Sequence, residues 1–325
     1  MILVHQTRGT GVGNWEVNYI ASYTAGTITT LLNLANTYTD SGASQAQVLV
    51  LKQYSNVNIS STLTTKAWDG NVGGITAFCC CGSTTITGTI SANGNDGIST
   101  VGYASGGSGI GFSGGQGISS NGAPAYQGEG SASAGTTSTS ANGNGGGGGD
   151  ATNDSGSGGG GGGGGHASTG TAGSSGNNGV AGNGGGLVGS ADLTTWFLGG
   201  GGGGGSRAGT TDIGGGGGGG GIVIIFSKII DTSAGYITSN GGIGGTSGSS
   251  WGYGGDGAGG SIFLKYISGT LGTNRLTATG GTRSNNASLG RIRLEGCSRI
   301  GTTDSPTGSY VDGGFSFCGS IASII

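Results

Sequence analysis

Four uninterrupted glycine tracts constrain this chain more than any other feature of its sequence. They occupy residues 145–149, 158–165, 199–205 and 214–221. Flexible coil is the ordinary interpretation of such stretches, because glycine loses more backbone entropy on folding than any other residue. Charged residues make up only 8% of the chain, however, and the net charge is −3, so the repulsion that keeps a disordered segment expanded is missing. We therefore expect the tracts to be ordered.

An ordered glycine tract still has to find partners for its backbone N–H and C=O groups. Glycine segments laid side by side as threefold left-handed helices can satisfy one another, because no Cβ holds them apart. A collagen-like arrangement is excluded, since the chain has only 2 prolines beside its 87 glycines. We predict polyglycine II helices within residues 98–213, joined by exposed loops.

Two-strand units flank this insertion and repeat along the sequence. Residues 222–226 form a continuous β-branched and aromatic run, which is typical of a strand buried on both faces. A single unit cannot bury its apolar face alone, so neighbouring units must stack. The first strands of the units contain Ile75, Ile222, Ile262 and Ile292, and the second strands, 14 or 15 residues later, contain Ile90, Ile237 and Leu276.

These patterns predict an all-β fold, namely an elongated β-solenoid or stacked β-sheet repeats with an inserted polyglycine II helix bundle. The expected domains are an N-terminal β attachment or cap module at residues 1–70, a first β repeat at 71–97, the glycine-rich insertion at 98–213, further β repeats at 214–296 and a C-terminal cap at 297–325.

Few residues suit catalysis. The chain has only two histidines, His5 and His166, and His166 follows a glycine tract as an expected loop residue. Glycine motifs of nucleotide-binding loops match by chance in such a chain, and no long tract is followed by Lys-Ser or Lys-Thr. The 14 acidic residues show no paired motif, which leaves a carbohydrate-active solenoid enzyme as a second alternative. We expect no enzyme activity, no catalytic residue, no cofactor and no metal site.

Charge and hydropathy make nucleic acid and membranes poor partners. The 11 Lys and Arg residues are spread thinly and form no basic stripe, and no apolar run approaches the ~20 residues of a membrane span. The chain starts at Met1 without the basic and small-residue parts of a secretory signal. We therefore expect a virion part that is assembled in the host cytosol.

Three consecutive cysteines stand at positions 79–81. They fit small apolar packing on a strand, or a disulfide from Cys79 or Cys81 to Cys297 or Cys318 in an oxidising environment. A metal site is the third interpretation, although the chain has no C-x-x-C pair.

Aromatic residues in otherwise featureless loops are the candidates for receptor binding, because exposed rings on rigid loops supply contact area at low entropic cost. The alternative is that they cover the glycine region or the ends of the repeats. The candidates are Tyr103, Tyr126, Trp196, Phe197, Trp251 and Tyr253.

The four tracts, separated by short loops and preceded by an N-terminal module, resemble the polyglycine-helix adhesins at the tips of T-even-like phage tail fibres. That resemblance implies receptor contact through the loops that carry Tyr126, Trp196, Phe197, Trp251 and Tyr253, and it implies a homo-oligomer. The whole chain also resembles uncharacterised glycine-rich proteins of bacteria and phages that carry Trp-Asp-Gly-x-x-Gly-Gly, here residues 68–74, and Ile-Ser-Ala-Asn-Gly, here residues 90–94.

The expected function is therefore that of a non-enzymatic virion structural protein, a tail-fibre or receptor-binding adhesin on the virion surface. Its expected partners are other virion subunits and a host surface glycan or outer-membrane protein. The alternative is a self-assembling extracellular or cell-surface filament or sheath subunit, whose partners would be identical chains.

Overall fold

The computed structural model describes residues 1–119, 122–152, 158–176, 179–207, 211–248, 251–283, 287–300 and 309–312. Within these ranges the chain forms strands and no helix. The strands are β1 Ile2–Arg8, β2 Trp15–Asn18, β3 Ile20–Thr24, β4 Thr27–Thr30, β5 Gln45–Val50, β6 Lys52–Tyr54, β7 Val57–Ile59, β8 Thr62–Thr64, β9 Ile75–Ile86, β10 Thr89–Ser91, β11 Ser99–Thr100, β12 Tyr103–Ala104, β13 Gly117–Ile118, β14 Asp150–Ala151, β15 Gly158–Gly159, β16 Gly179–Val180, β17 Ser206–Arg207, β18 Ile213–Gly214, β19 Ile222–Asp231, β20 Tyr236–Thr238, β21 Ser261–Thr270, β22 Leu276–Thr277, β23 Arg291–Ile300 and β24 Ser309–Asp312.

The predicted fold class was wrong. The described strands form seven separate sheets instead of the wall of one solenoid, and none of the glycine tracts is a helix. The tracts do bond to other segments of the chain, as side-by-side packing requires, but a glycine-rich composition does not specify a helical backbone for them. Most of the predicted C-terminal cap lies outside the described residues.

The largest sheet has seven strands and is parallel throughout. Its order is β24-β23-β21-β19-β9-β6, and β7 also pairs with β9. The repeated units lie side by side in register, since Ile222 is opposite both Ile75 and Ser261, and Ser261 is opposite Arg291. Each copy of the repeat therefore adds one long strand to this sheet.

A second, four-stranded parallel sheet collects the short strands of the same units. Its order is β22-β20-β10-β8, with Ile237 opposite both Ile90 and Leu276. These three side chains share one buried apolar cluster with Val223, Ile225 and other residues from one face of the seven-stranded sheet. The main core therefore lies between the two parallel sheets.

The other face of the seven-stranded sheet is buried as well. Ile222, Ile224 and Phe226 point to that face, where they join Trp196 and Leu198 from the end of the glycine-rich region in a second apolar cluster. Burial on both faces explains the uninterrupted apolar run at residues 222–226 of β19.

Side chains at every third residue connect the turn after β10 to the turn after β20. They are Asn93, Asp96 and Ser99, and their oxygen atoms accept hydrogen bonds of 2.8, 2.7 and 2.7 Å from the backbone N–H groups of Asn240, Ile243 and Thr246. The next copy continues the pattern, because Asn240 Oδ1 accepts from the Thr279 N–H at 2.9 Å. The Asn-Gly turns of the repeat therefore also bind one copy to the next.

The tract at residues 199–205 shows how glycine builds the middle of the molecule. All seven of its N–H groups donate to, and all seven of its carbonyl groups accept from, other segments of the chain. Successive N–H groups donate to different segments, and the same segment returns at every third residue. The N–H groups of Gly199, Gly202 and Gly205, for example, donate to the carbonyl groups of Gly220, Gly217 and Gly214, respectively. In total the tract is bonded to six other segments. We call this hydrogen-bonded region, which includes the four tracts, the glycine block.

Close approach, and not an unusual backbone angle, makes glycine necessary within the block. A Cβ at Gly203 would overlap the carbonyl oxygen of Gly147, and one at Gly216 would overlap that of Gly202. Both obstacles are backbone atoms held by their own hydrogen bonds, so a side chain there can be admitted only if the segments separate.

The N-terminal module is joined to the glycine block through buried polar groups. Strand β1 lies between β2 and β5 in an antiparallel sheet, and all of its residues are buried. At its end, Arg8 forms an ion pair with Glu129, and the Trp68 indole N–H donates to the same carboxylate at 2.7 Å. Both members of the ion pair are only 7% exposed. Burial raises the pKa of Glu129, although the Trp68 and Arg8 contacts act against that shift.

The Trp-Asp-Gly motif forms the turn that positions Trp68. The Asp69 carboxylate accepts from the N–H groups of Asn71 and Val72, and these hydrogen bonds lower its pKa to about 2. Gly70 and Gly73 have φ angles of 97° and 116°, which side-chain-bearing residues rarely adopt. The motif is therefore explained by its turn geometry and by the contact between Trp68 and Glu129.

We predict that Gly203→Ala lowers the free energy of unfolding by about 3 kcal/mol or more, because the added methyl group must displace fixed backbone. Gly186→Ala is the matched control, since a Cβ there meets its nearest atom, Gly143 O, at 3.1 Å. Chemical denaturation of both variants measures the difference. Equal stability of the two variants would show that the segments of the block are not packed as described.

We predict that Arg8→Met destabilises the protein by about 3 kcal/mol at pH 7, because it leaves the Glu129 carboxylate buried without its cation. Removing the cation raises the pKa of Glu129 further above its ordinary value of about 4.3, so the carboxyl group takes up a proton as the pH falls. The stability lost through Arg8→Met should therefore be largest above pH 7 and should shrink towards pH 5. Denaturation at several pH values tests this prediction.

The control for that experiment is Lys66→Met, which removes an exposed ion pair to Asp69. The pKa of Asp69 is about 2, so this carboxyl group does not titrate in the tested range. The effect of Lys66→Met should be small and independent of pH. A pH-independent loss for Arg8→Met would contradict the role assigned to Glu129.

Candidate functional site

The glycine block has two different ends. At one end, residues 214–221 and 252–260 continue directly into β19 and β21 of the seven-stranded sheet. At the other end the chain reverses direction, as it does between Gly205 and Gly214. The Gly205 N–H group donates to the Gly214 carbonyl at 2.8 Å. We call the described residues of segments 98–104, 206–213 and 246–253, which lie at this second end, the tip loops.

Hydrogen bonds connect the tip loops to one another. Strand β11 pairs with β18, and β13 joins β12 to β17. The Ser99 hydroxyl group is bonded to Thr246 Oγ1 at 2.8 Å, while Ser247 Oγ donates to the Asp212 carbonyl at 2.9 Å. The loops therefore form one connected surface whose segments are fixed both to each other and to the glycine block.

This surface exposes large apolar and aromatic side chains. Tyr103 is 69% exposed and Trp251 is 40% exposed, and the aliphatic residues Ile98 and Val101 are each more than half exposed. Tyr126, also 40% exposed, lies close by, because its carbonyl accepts from the Gly204 N–H at 2.9 Å. Clusters of exposed apolar residues on a protein surface are typical of contact sites for other molecules.

The structure separates the predicted receptor-binding residues into two groups. Tyr126 and Trp251 are exposed at or beside the tip loops, and Tyr253 is half-buried there. Trp196 and Phe197 are 0% and 7% exposed, so the expectation that they stand on an exposed loop was wrong.

Trp196 and Phe197 instead connect the N-terminal module to the core. The Trp196 indole is stacked on Trp15 with ring centroids 3.6 Å apart, and it also contacts Phe263 of β21. Phe197 packs so closely against Gly13 that a Cβ there would overlap its ring. The apolar run formed with Leu198 was the sequence signal of this burial.

The cysteine run forms no disulfide to the C-terminal region. Cys79, Cys80 and Cys81 have free thiols, so a bond from Cys79 or Cys81 to Cys297 is not formed, and Cys318 lies outside the described residues. Cys79 and Cys80 are buried on β9, whereas Cys81 is exposed at an irregularity in the pairing with β19. Burial raises the pKa of Cys79 to about 11, which keeps that thiol protonated at neutral pH.

Both histidines are buried and bonded to uncharged groups. His166, expected in a loop, is fully buried, and its Nδ1 is 2.8 Å from the Gly259 carbonyl oxygen. His5 Nε2 is 2.9 Å from the Trp196 carbonyl oxygen. Burial lowers the pKa of each to about 4, so both are neutral at pH 7. In the part of the chain that the structure describes, no group of three or more His, Cys, Asp or Glu residues could hold a metal ion.

Sequence reasoning missed a cavity of about 380 Å³ on the seven-stranded sheet, where Trp15 faces Phe226 and Phe263. Its lining comes from strands that are far apart in sequence, so no local pattern indicates it. A search of the described residues for helices long and apolar enough to cross a membrane finds none.

Comparison with known proteins does not assign the site. No family model, curated protein or solved structure compared with this chain matches it significantly. Functional inference therefore depends on the geometry of the chain itself.

Proposed function

We propose that this protein is a non-enzymatic structural protein of a virion, a tail-fibre or receptor-binding adhesin that acts through its tip loops. The observation that carries the proposal is the exposed set Tyr103, Trp251 and Tyr126 on a surface fixed to the glycine block. Loops that are already held in place lose little entropy when they bind, so weak individual contacts can add up to useful adhesion.

The proposed partner at the tip is a host surface glycan or an outer-membrane protein. Tyrosine and tryptophan suit both, because their rings offer apolar faces while the hydroxyl and indole N–H groups form hydrogen bonds. In this proposal residues 1–70 attach the protein to other virion subunits. Exposed apolar side chains on that module support the attachment role, among them Tyr23, Leu32 and Val50 at 68%, 66% and 63% exposure.

The same exposed residues favour one second candidate, a self-assembling filament or sheath subunit. A filament needs a surface that pairs with an identical chain, and open sheet edges with exposed apolar residues can provide it. The two candidates differ in which end of the molecule is essential and in whether polymers form without a host.

The adhesin proposal predicts that the purified chain forms discrete particles that bind some strains in a panel of Gram-negative bacteria. The double substitution Tyr103→Ala and Trp251→Ala should reduce the amount bound at least tenfold without changing thermal stability, because both side chains are exposed. Tyr23→Ala, at an equally exposed site on the N-terminal module, is the matched control and should bind normally.

Electron microscopy and a cell-binding assay with labelled protein provide the two measurements. The filament subunit would be favoured over the adhesin by long regular polymers that form without cells, if Tyr23→Ala abolishes them and the tip variant keeps them. Binding that survives the tip substitutions would also refute the proposed site.

A further inference from the structure

The cavity on the seven-stranded sheet is a separate site, because none of its lining residues belongs to the tip loops. It lies between the N-terminal module, the segment that contains Leu193 and Thr194, and the strands β19, β21 and β23. Its volume of about 380 Å³ is at the lower end of the range for small-molecule sites, roughly 300–1,000 Å³. A single ring-sized ligand is the appropriate occupant for that volume.

Strand register places the functional groups of this cavity together. Phe226 of β19 is opposite Lys265 of β21, which in turn is opposite Glu295 of β23. Two residues earlier, Phe263 is opposite Arg293. Since residues two apart on a strand share a face, the two aromatic rings and the three charged groups face the same cavity.

The walls are aromatic and held in place. Trp15 is stacked on the buried Trp196, and its indole N–H donates to the Thr194 carbonyl at 3.0 Å. Phe226 and Phe263 meet edge to face, with ring centroids 5.9 Å apart. Rings fixed in this way offer flat apolar surfaces to one face of a ligand ring.

The side chains that line the cavity carry two positive charges and one negative charge, and the exposed Asp192 carboxylate interacts with Arg293 from outside the lining. Glu295 accepts from Lys265 at 3.2 Å and from Arg293, so two cations share one carboxylate. Their side chains are 16–19% exposed, which reduces screening by solvent. The Arg293 Nε–H group is buried and has no hydrogen-bond partner within the described ranges. A ligand carboxylate would add a second negative charge to the lining and accept hydrogen bonds from its cations.

We propose that this cavity binds an acidic sugar residue, a pyranose ring that carries a carboxylate. The apolar face of the sugar packs against Trp15, and its carboxylate binds between Lys265 and Arg293. Its hydroxyl groups donate to the side-chain oxygens of Glu295. This inference is independent of the function proposed for the tip loops.

The test is titration of the full chain with D-glucuronate, D-glucose and phenylacetate, in which binding is measured by calorimetry or ligand-observed NMR. We expect saturable binding of glucuronate in the millimolar range or tighter. Binding of glucose should be at least tenfold weaker because glucose lacks the carboxylate, and binding of phenylacetate should be weaker because it lacks the hydroxyl groups.

Charge variants should change glucuronate affinity in opposite directions. Lys265→Met removes a cation and should weaken binding about tenfold, whereas Glu295→Gln removes the competing carboxylate and should strengthen it severalfold. Lys228→Met, at an exposed position on β19, is the matched control and should have no effect. A purely structural role for the ion pairs would make both cavity variants weaken binding together.

The proposal is overturned if glucuronate does not bind saturably, if glucose binds equally well, or if the two charge variants shift affinity in the same direction. Tighter binding of phenylacetate would also overturn it, because it would assign the cavity to aromatic carboxylates. Free sugars and purified protein are sufficient, so failure here leaves the cell-binding test of the tip loops unaffected.

Discussion

Hydrogen bonding between closely packed glycine backbones is the interaction on which the rest of this structure depends. Glycine is costly to order, and a glycine segment has no side chain with which to offset that cost by apolar burial. The compensation is geometric, because segments without Cβ atoms approach until every N–H and C=O group has a partner. In the tract at residues 199–205 all fourteen of these groups are bonded, to six different segments.

The two parallel sheets and the N-terminal module are arranged around this block. Two of its segments continue into β19 and β21, so the register of the glycine segments and that of the seven-stranded sheet are set together. The N-terminal module is fixed by the Arg8 and Glu129 ion pair and by the Trp15 and Trp196 stack. The tip loops receive their fixed positions from the same block, which is the physical basis of the proposed adhesive function.

Sequence reasoning succeeded where local pattern determines structure. The apolar run after Gly221 lies on β19, and the strands of the repeated units pair with one another in register. It failed where long-range packing decides the outcome. His166 and Trp196 look like loop residues beside glycine tracts, but each is buried by segments distant in sequence.

The candidate site was predictable only in part for the same reason. Tyr126 and Trp251 stand among small and polar residues and are exposed, as that context suggests. Their assembly into one surface depends on pairings such as β11 with β18, which no local pattern indicates. The prediction of the fold class was wrong because composition shows that glycine segments can pack together but does not specify the backbone form that they adopt.

Amide hydrogen exchange of residues 199–205 tests the central claim most directly. If the glycine block is hydrogen-bonded as described, these amides exchange as slowly as those of β19, because they open only when the protein unfolds globally. Exchange at the rate of an unfolded glycine-rich chain, while β19 stays protected, would contradict the account and leave the tip loops without a rigid support.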